Sequence, residues 1–202
     1  EIDDRLFDLV TKEERIAPHL HLSLQSGDNM ILKRMKRRHS REDAIDLCAR
    51  LKAARPDIAF GADLIAGFPT ETEEMFENTL DLVHACGLAY VHVFPFSPRQ
   101  GTPAARMPQL PREEIKTRAA RLREAADAAL RDHLSRHLGQ DRLVLVESNP
   151  DGHALGRLPD FTEVRLDIPL PEGTSILTRI GGHDGRRLSG ELTPTQMEAM
   201  NG

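Results

Sequence analysis

The order of strand-like and helix-like segments constrains this chain more than any other feature. Up to about residue 138, segments with the two-residue period of β-strands alternate with segments that have the 3.6-residue period of α-helices. The predicted strands are 19–24, 58–66 and 88–96. The predicted helices are 2–15, one from about 28, one capped by Ser40 that reaches 54, 71–86 capped by Thr70, and 111–138. Helices between successive strands allow those strands to pair in parallel, so we expect an α/β fold with an open or barrel-shaped parallel sheet.

The pattern changes after Gly139, where five short β-patterned segments follow one another. They are 143–147, 153–158, 162–166, 175–180 and 186–192. Turn residues separate them, as at Asn149–Gly152 and Gly181–Gly185. Many short strands in a short stretch are typical of a small β-barrel that folds separately. We therefore expect domains at 1–138 and 139–193, followed by a tail at 194–202.

Charge, hydropathy and cysteine content limit the possible functions. The net charge is −5, so no global positive field indicates a nucleic-acid partner. No apolar run approaches the roughly 20 residues of a membrane helix, and no signal peptide is present, so we expect a cytoplasmic protein. Cys48 and Cys86 lie on apolar helical stripes and are expected to be buried thiols. Because an iron–sulfur cluster takes about four ligands, two such thiols cannot hold one.

Three strands each carry polar residues on one face. His19, His21 and Gln25 alternate with leucines, and Asp63 and His92 interrupt two otherwise apolar strands. In a barrel wrapped by helices the outward face is apolar, so the polar face lines the lumen. One interpretation is a ligand-binding lumen. Another is a metal-dependent hydrolase in which His19 and His21, with Asp63 and His92, supply zinc ligands.

Three longer motifs identify a family resemblance. The segments 22–28 with 32–38 (LSLQSGD, LKRMKRR), 63–72 (DLIAGFPTET) and 92–104 (HVFPFSPRQGTPA) resemble the fourth-, fifth- and sixth-strand motifs of radical S-adenosylmethionine (SAM) enzymes of the methylthiotransferase type. Residues 139–192 resemble the TRAM domain that follows the barrel in these enzymes. The resemblance implies the C-terminal half of a (βα)6 partial TIM-type barrel, followed by a small all-β barrel of the OB-like kind.

The resemblance also implies a SAM site in this chain. Gln25 would hydrogen-bond the methionine or ribose part of SAM, Arg37 would contact its carboxylate, and Asp63 would accept hydrogen bonds from ribose hydroxyls. The contacts implied for the adenine are Ile65, Phe68 and the backbone near Ser97.

The reaction implied by the resemblance is the addition of a methylthio group to C2 of N6-threonylcarbamoyladenosine, beside the anticodon of tRNA. Segments 35–39 and 92–97 favour this branch over those acting on isopentenyladenosine in tRNA or on a ribosomal protein. Such enzymes use 4Fe-4S clusters whose cysteine ligands would lie outside this chain, so we expect the chain alone to be inactive. A barrel cut at this point would leave strand 19–24 as an open edge, which favours self-association.

RNA contact is the last expectation. Lys33, Arg34 and Arg38 lie in a basic run without acids, and phosphate contact suits such a run at a barrel mouth. In the C-terminal domain, acids outnumber Lys and Arg nine to six over 139–192, so an RNA role there rests on the resemblance. The candidate RNA-binding residues in that domain are Arg157, Arg165 and Arg186. A non-catalytic RNA-binding module is the alternative function.

Overall fold

The computed structural model describes residues 2–192. It confirms the expected fold class, because a three-stranded sheet with parallel pairing is followed by a closed five-stranded barrel. The chain divides into two compact units. One comprises the described residues up to Ile16 and Leu20–Ala129, and the other comprises Ala17–His19 and the described residues from Leu130 onward. The expected tail at 194–202 lies outside the described residues, and the domain bounds of the sequence analysis stay predictions.

Residues 2–135 contain eight α-helices and β-strands. They are α1 (Asp4–Lys12), β1 (His19–Gln25), α2 (Asn29–Arg34), α3 (Arg41–Ala54), β2 (Ala59–Ala66), α4 (Glu73–Ala85), β3 (Leu88–Pro95) and α5 (Arg112–Ser135). The sheet order is β1–β2–β3, and β2 and β3 pair in parallel with Asp63 opposite His92. Within the described part of the chain β1 is therefore a sheet edge. The expected self-association through this edge stays a prediction.

Side-chain caps fix where the helices begin. Asp28 caps α2 by accepting hydrogen bonds from the backbone N–H groups of Met30 and Ile31. Ser40 caps α3 as expected, and it forms a reciprocal capping box with Asp43.

The predicted start of α4 is wrong. Its N-cap is Thr72, whose hydroxyl accepts a hydrogen bond from the backbone N–H of Met75, whereas Thr70 adopts a φ of 69° before the helix. Glu71 is consequently no helix residue. Its buried carboxylate accepts hydrogen bonds from the backbone N–H of Gly67 and from Arg118, both at 2.9 Å. This contact across the fold holds the segment out of the helix.

A hydrophobic core holds the first unit together. Leu64 on β2, Phe76 on α4 and Leu122 on α5 are fully buried in it. Cys48 and Cys86 are buried there too, as expected. A hydrogen bond with Cys86, and burial, raise the pKa of the Cys48 thiol, so it is no ready metal ligand.

The second unit contains the closed barrel. Its strands are β4 (Asp141–Ser148), β5 (Ala154–Arg157), β6 (Glu163–Leu166), β7 (Ser175–His183) and β8 (Leu188–Glu191), in the order β4–β5–β6–β8–β7. Val144, Val146 and Ile180 lie in its separate core. Every strand has two partners, so the barrel has no open edge. Among residues 2–192, none of the helices has the length and apolar character that crossing a bilayer requires.

Candidate functional site

A cleft of about 570 Å³ lies in the first unit, where β1, β2 and β3 reach their carboxyl-terminal parts. Gln25 ends β1, Asp63 and Ile65 lie on β2, and Ser97 follows β3, and all four line the cleft. The structure thus brings together four of the six residues for which the sequence predicted SAM contacts. Phe94, Phe96 and Arg99 line the same cleft. Carboxyl ends of parallel strands are where open and barrel α/β folds bind their ligands.

Asp63 carries the negative charge of the cleft and is held by two histidines. His21 Nε2 lies 3.0 Å and His92 Nδ1 3.2 Å from the same oxygen, Asp63 Oδ1. Within the described part of the chain, Oδ2 makes no protein hydrogen bond. The carboxylate is therefore fixed through one oxygen and can accept hydrogen bonds from a ligand with the other.

The absence of a side chain at Gly61 makes room for this arrangement. A Cβ at position 61 would lie 2.6 Å from His21 Nδ1, closer than any real contact of that kind. The imidazole of His21 therefore lies directly over the backbone of the neighbouring strand. A glycine at this point of an otherwise apolar strand marks such a close approach.

Gln25 ends β1 in a strained backbone conformation. Its φ is 69°, and the backbone N–H of Ser26 donates to the Leu24 carbonyl at 2.9 Å, closing a three-residue turn around Gln25. This is the rare, strained form of the γ-turn. The following backbone is anchored, because the Gly27 N–H donates to Thr79 Oγ1 at 3.0 Å. The surrounding contacts thus hold a strained residue at the cleft wall.

Apolar side chains form another wall of the cleft. Ile65 lies opposite Phe94 in the parallel pairing, and Phe94 is half exposed. Phe68, expected to contact the adenine, does not line the cleft. It is buried and packs edge-on against Phe96, with ring centroids 5.2 Å apart. An apolar slot beside a carboxylate and a carboxamide suits a nucleoside, which has a flat base and a hydroxylated sugar.

Arg37 does not reach this cleft, contrary to expectation. It is exposed and lines a separate cleft beside Leu22–Leu24 of β1. The reason lies in the end of α2, where Lys36 adopts a φ of 58° and the Arg37 N–H donates to the Leu32 carbonyl. These turns carry the chain to the sheet edge. Arg99 is the guanidinium that lines the cleft. It lies in a loop without a periodic pattern, so no signal in the sequence pointed to it.

The structure does not bring together His19 and His21, the pair that the alternative zinc interpretation required. His19 belongs with the second unit, where its Nδ1 lies 3.2 Å from the carbonyl oxygen of Asp160. His21 instead clusters with Asp63 and His92, and one ligand atom from each lies within 4.8 Å of the others.

The candidate RNA-binding residues differ in exposure and in whether other groups of the chain already contact their charged ends. Lys33, Arg38 and Arg186 are exposed, whereas Arg34 donates to the Thr70 carbonyl at 3.3 Å. In the barrel, acidic partners offset two of the cations. Arg157 contacts Glu147 and Glu163, both at 3.0 Å, and Arg165 contacts Asp167 at 3.2 Å.

Fold and cleft together define an α/β protein with a cleft at its strand ends, and the lining of that cleft suits a nucleoside-like ligand. The model of the radical SAM superfamily matches residues 2–83. A threonylcarbamoyladenosine tRNA methylthiotransferase (MtaB) from Rickettsia prowazekii is 54% identical over 182 residues, which is 90% of this chain and 42% of that protein. Two tRNA-2-methylthio-N(6)-dimethylallyladenosine synthases also match. The one from Geobacillus kaustophilus is 40% identical over 75% of this chain and 29% of its own length. The one from Erythrobacter litoralis is 36% identical over 96% of this chain and 44% of its own length.

The chain belongs to the radical SAM methylthiotransferase family. It spans less than half the length of these relatives. The family as a whole uses SAM and iron–sulfur clusters.

Proposed function

We propose that this chain forms the SAM-binding wall of an enzyme that adds a methylthio group to C2 of N6-threonylcarbamoyladenosine beside the anticodon of tRNA. The cleft that unites Gln25, Asp63, Ile65 and Ser97 carries this proposal. The Rickettsia relative, whose name states this activity, supports the choice of branch.

The side chains of the cleft fit SAM by their chemistry. Asp63 Oδ2 accepts hydrogen bonds from ribose hydroxyls, since Oδ1 is taken by His21 and His92. Ile65 and Phe94 pack on the adenine face. Bound SAM supplies both the methyl group and the radical chemistry of the reaction.

Polar groups at the other end of the cleft hold the methionine part of SAM. Within the described residues the carboxamide of Gln25 has no protein hydrogen-bond partner, so it is available to the amino acid part or the ribose. Arg99 takes the contact with the SAM carboxylate that the sequence assigned to Arg37, because Arg99 lines this cleft and Arg37 lines the separate one. A guanidinium pairs well with a carboxylate in two parallel hydrogen bonds.

The cysteines of this chain do not fit an iron–sulfur cluster. Cys48 and Cys86 are its two cysteines, and both are buried in the core of the first unit. A 4Fe-4S cluster takes about four thiolate or equivalent ligands. The cluster ligands of the proposed enzyme therefore belong to other parts of the full-length protein, and the chain by itself is inactive.

The exposed cations Lys33, Arg38 and Arg186 are the contacts proposed for the tRNA substrate. Neutralisation of phosphates by such side chains gives binding that weakens steeply with salt. Arg34, Arg157 and Arg165 contribute less, because a backbone carbonyl or acidic side chains already occupy their guanidinium groups. The cytoplasm, where tRNA is used in translation, is the location proposed for this enzyme.

The SAM site is tested by calorimetry on the full-length enzyme. Asp63→Asn is expected to raise the Kd for SAM about tenfold, which corresponds to the loss of about 1.4 kcal/mol from a charge-assisted hydrogen bond. Asp46→Asn, which changes an exposed carboxylate on α3, is the matched control and should leave the Kd unchanged. Arg99→Ala should weaken SAM binding more than Arg37→Ala. Equal affinity of wild type and Asp63→Asn would refute the proposed site.

The substrate is tested by mass spectrometry of tRNA nucleosides from cells that lack the gene. We expect N6-threonylcarbamoyladenosine without its methylthio group to accumulate, and the wild-type gene to restore the modification. Accumulation of unmodified isopentenyladenosine would instead assign the protein to the other tRNA branch. A full-length protein that binds tRNA but not SAM would be a non-catalytic RNA-binding module.

A further inference from the structure

A second cluster of potential metal ligands lies in the second unit, apart from the SAM cleft. His133 lies near the end of α5, His137 lies in the turn that follows, and Asp160 lies in the loop between β5 and β6. All three are buried, and one ligand atom from each lies within 4.8 Å of the others. Nε2 of each histidine lies 3.3 Å from the same atom, Asp160 Oδ2.

We propose that His133, His137 and Asp160 bind a zinc ion that stabilises the second unit. Zinc takes four ligands in a tetrahedron at about 2.0–2.1 Å, which separates neighbouring ligand atoms by about 3.3 Å. The two contacts to Asp160 Oδ2 have this length. Two imidazoles and one carboxylate favour zinc over magnesium or calcium, which prefer oxygen ligands.

The hydrogen bonding of His137 supports an ion at this point. Its side chain is only 8% exposed, yet neither ring nitrogen has a hydrogen-bond partner in the described part of the chain. The 3.3 Å contact between Nε2 and Asp160 therefore lacks hydrogen-bond geometry. A buried imidazole without partners is destabilising, and coordination through Nε2 removes part of that penalty.

The surroundings hold the carboxylate ready for the ion. Asp160 Oδ1 accepts a hydrogen bond from the backbone N–H of Thr162 at 3.1 Å, which leaves Oδ2 for the metal. Thr162 Oγ1 lies 3.1 Å from His133 Nε2, so this hydroxyl or a water can complete the tetrahedron. The ion would link the turn after α5 to the β5–β6 loop, two segments of the second unit that are distant in sequence.

The other His/Asp cluster in the described part of the chain, His21 with Asp63 and His92 beside the SAM cleft, offers a comparison. Its two histidine side chains are 37% and 63% exposed, and its carboxylate lines the SAM cleft. Solvent can satisfy these imidazoles, so no metal is required there. Variants of this cluster therefore serve as controls for the buried site.

The test is a metal titration of the purified 202-residue chain after treatment with a chelator. We expect one equivalent of zinc to bind, with a rise in melting temperature, and cobalt to give the intense visible bands of a tetrahedral site. His137→Gln and the nearly isosteric Asp160→Asn should both lose this equivalent and the rise in melting temperature. His153→Gln, which changes a half-buried barrel histidine, and His21→Gln should keep both.

Two results would overturn the proposal. One is a wild-type chain that binds no stoichiometric zinc, which would make the cluster a simple imidazole–carboxylate pair. The other is a His137→Gln variant that binds zinc as tightly as wild type. If circular dichroism shows that either variant fails to fold, the cobalt spectrum of the wild type decides, because weak octahedral bands exclude two-histidine tetrahedral coordination. The outcome is independent of SAM binding.

Discussion

Gln25 has a strained backbone conformation and also lines the cleft, and the effects of these two features on stability and on binding can be measured separately. A non-glycine residue in the left-handed region is destabilised by about 1–2 kcal/mol, whereas glycine adopts this region freely but loses more chain entropy on folding. Gln25→Gly should therefore leave the free energy of unfolding unchanged or raise it by about 1 kcal/mol. The same variant of the full-length enzyme should bind SAM more weakly, since the carboxamide is gone. Chemical denaturation and calorimetry measure the two effects.

Thr70→Gly is the matched control for Gln25→Gly. Thr70 has the same φ of 69° but does not line the cleft. Its replacement should affect stability in the same way without changing SAM affinity. Unaltered SAM affinity in Gln25→Gly would show that the strained turn serves the fold and not the ligand.

Single residues of the site could be predicted where the strict two-residue period of a strand decides the face of the sheet on which their side chains lie. Asp63 and His21 share a face because side chains alternate along strands, so the sequence was sufficient to place them together. The position of Arg37 depends instead on the left-handed backbone of Lys36, which no period encodes. Glu71 is a similar case, since its partner Arg118 lies 47 residues away in the chain.

At the scale of elements, the capping box of α3 leads to a prediction about the stability of the chain. Ser40 Oγ accepts a hydrogen bond from the Asp43 N–H at 3.1 Å, and Asp43 Oδ2 accepts one from the Ser40 N–H at 2.8 Å. Ser40→Ala should lower the free energy of unfolding by about 1 kcal/mol, measured by urea denaturation. Thr72→Ala, at the cap of α4, should have an effect of similar size.

The hydrogen bond from the Ser40 N–H lowers the pKa of Asp43 in the folded chain. Because this pKa is lower in the folded chain, Asp43 contributes fully to the free energy of unfolding above the ordinary carboxyl pKa of about 4. This contribution is lost as the pH falls through the lowered value. Asp43→Asn should remove this part of the acid dependence. Identical acid-denaturation profiles of the variant and wild type would contradict the prediction.

The start of α4 shows where local signals conflict. Thr70 and Thr72 are both good capping residues, and each is followed within three residues by a glutamate. The sequence alone favoured the first. The buried pairing of Glu71 with Arg118 decides for the second, and that pairing depends on where the fold of the first unit places Arg118 of α5.

At the scale of the whole molecule, the number of barrel strands could be predicted but their order could not. Turn residues mark five strands along the chain, whereas the parallel pairing of β6 with β8 depends on closure of the barrel. The proposed zinc site likewise depends on contacts that form only in the folded chain. His133 and His137 are visible in the sequence as a pair four residues apart, but Asp160 joins them only through the folded loop between β5 and β6.

The two hydrophobic cores have no residue in common, which predicts two separable unfolding transitions in calorimetry. Leu64 is fully buried in the core of the first unit and Ile180 in that of the second. Leu64→Ala and Ile180→Ala should each destabilise one unit by about 2–5 kcal/mol through the cavity left behind, and each should lower only its own transition. Leu143→Ala, at an exposed position of the barrel, is the control and should shift neither. A single transition that both core variants lower equally would show that the chain unfolds as one cooperative body.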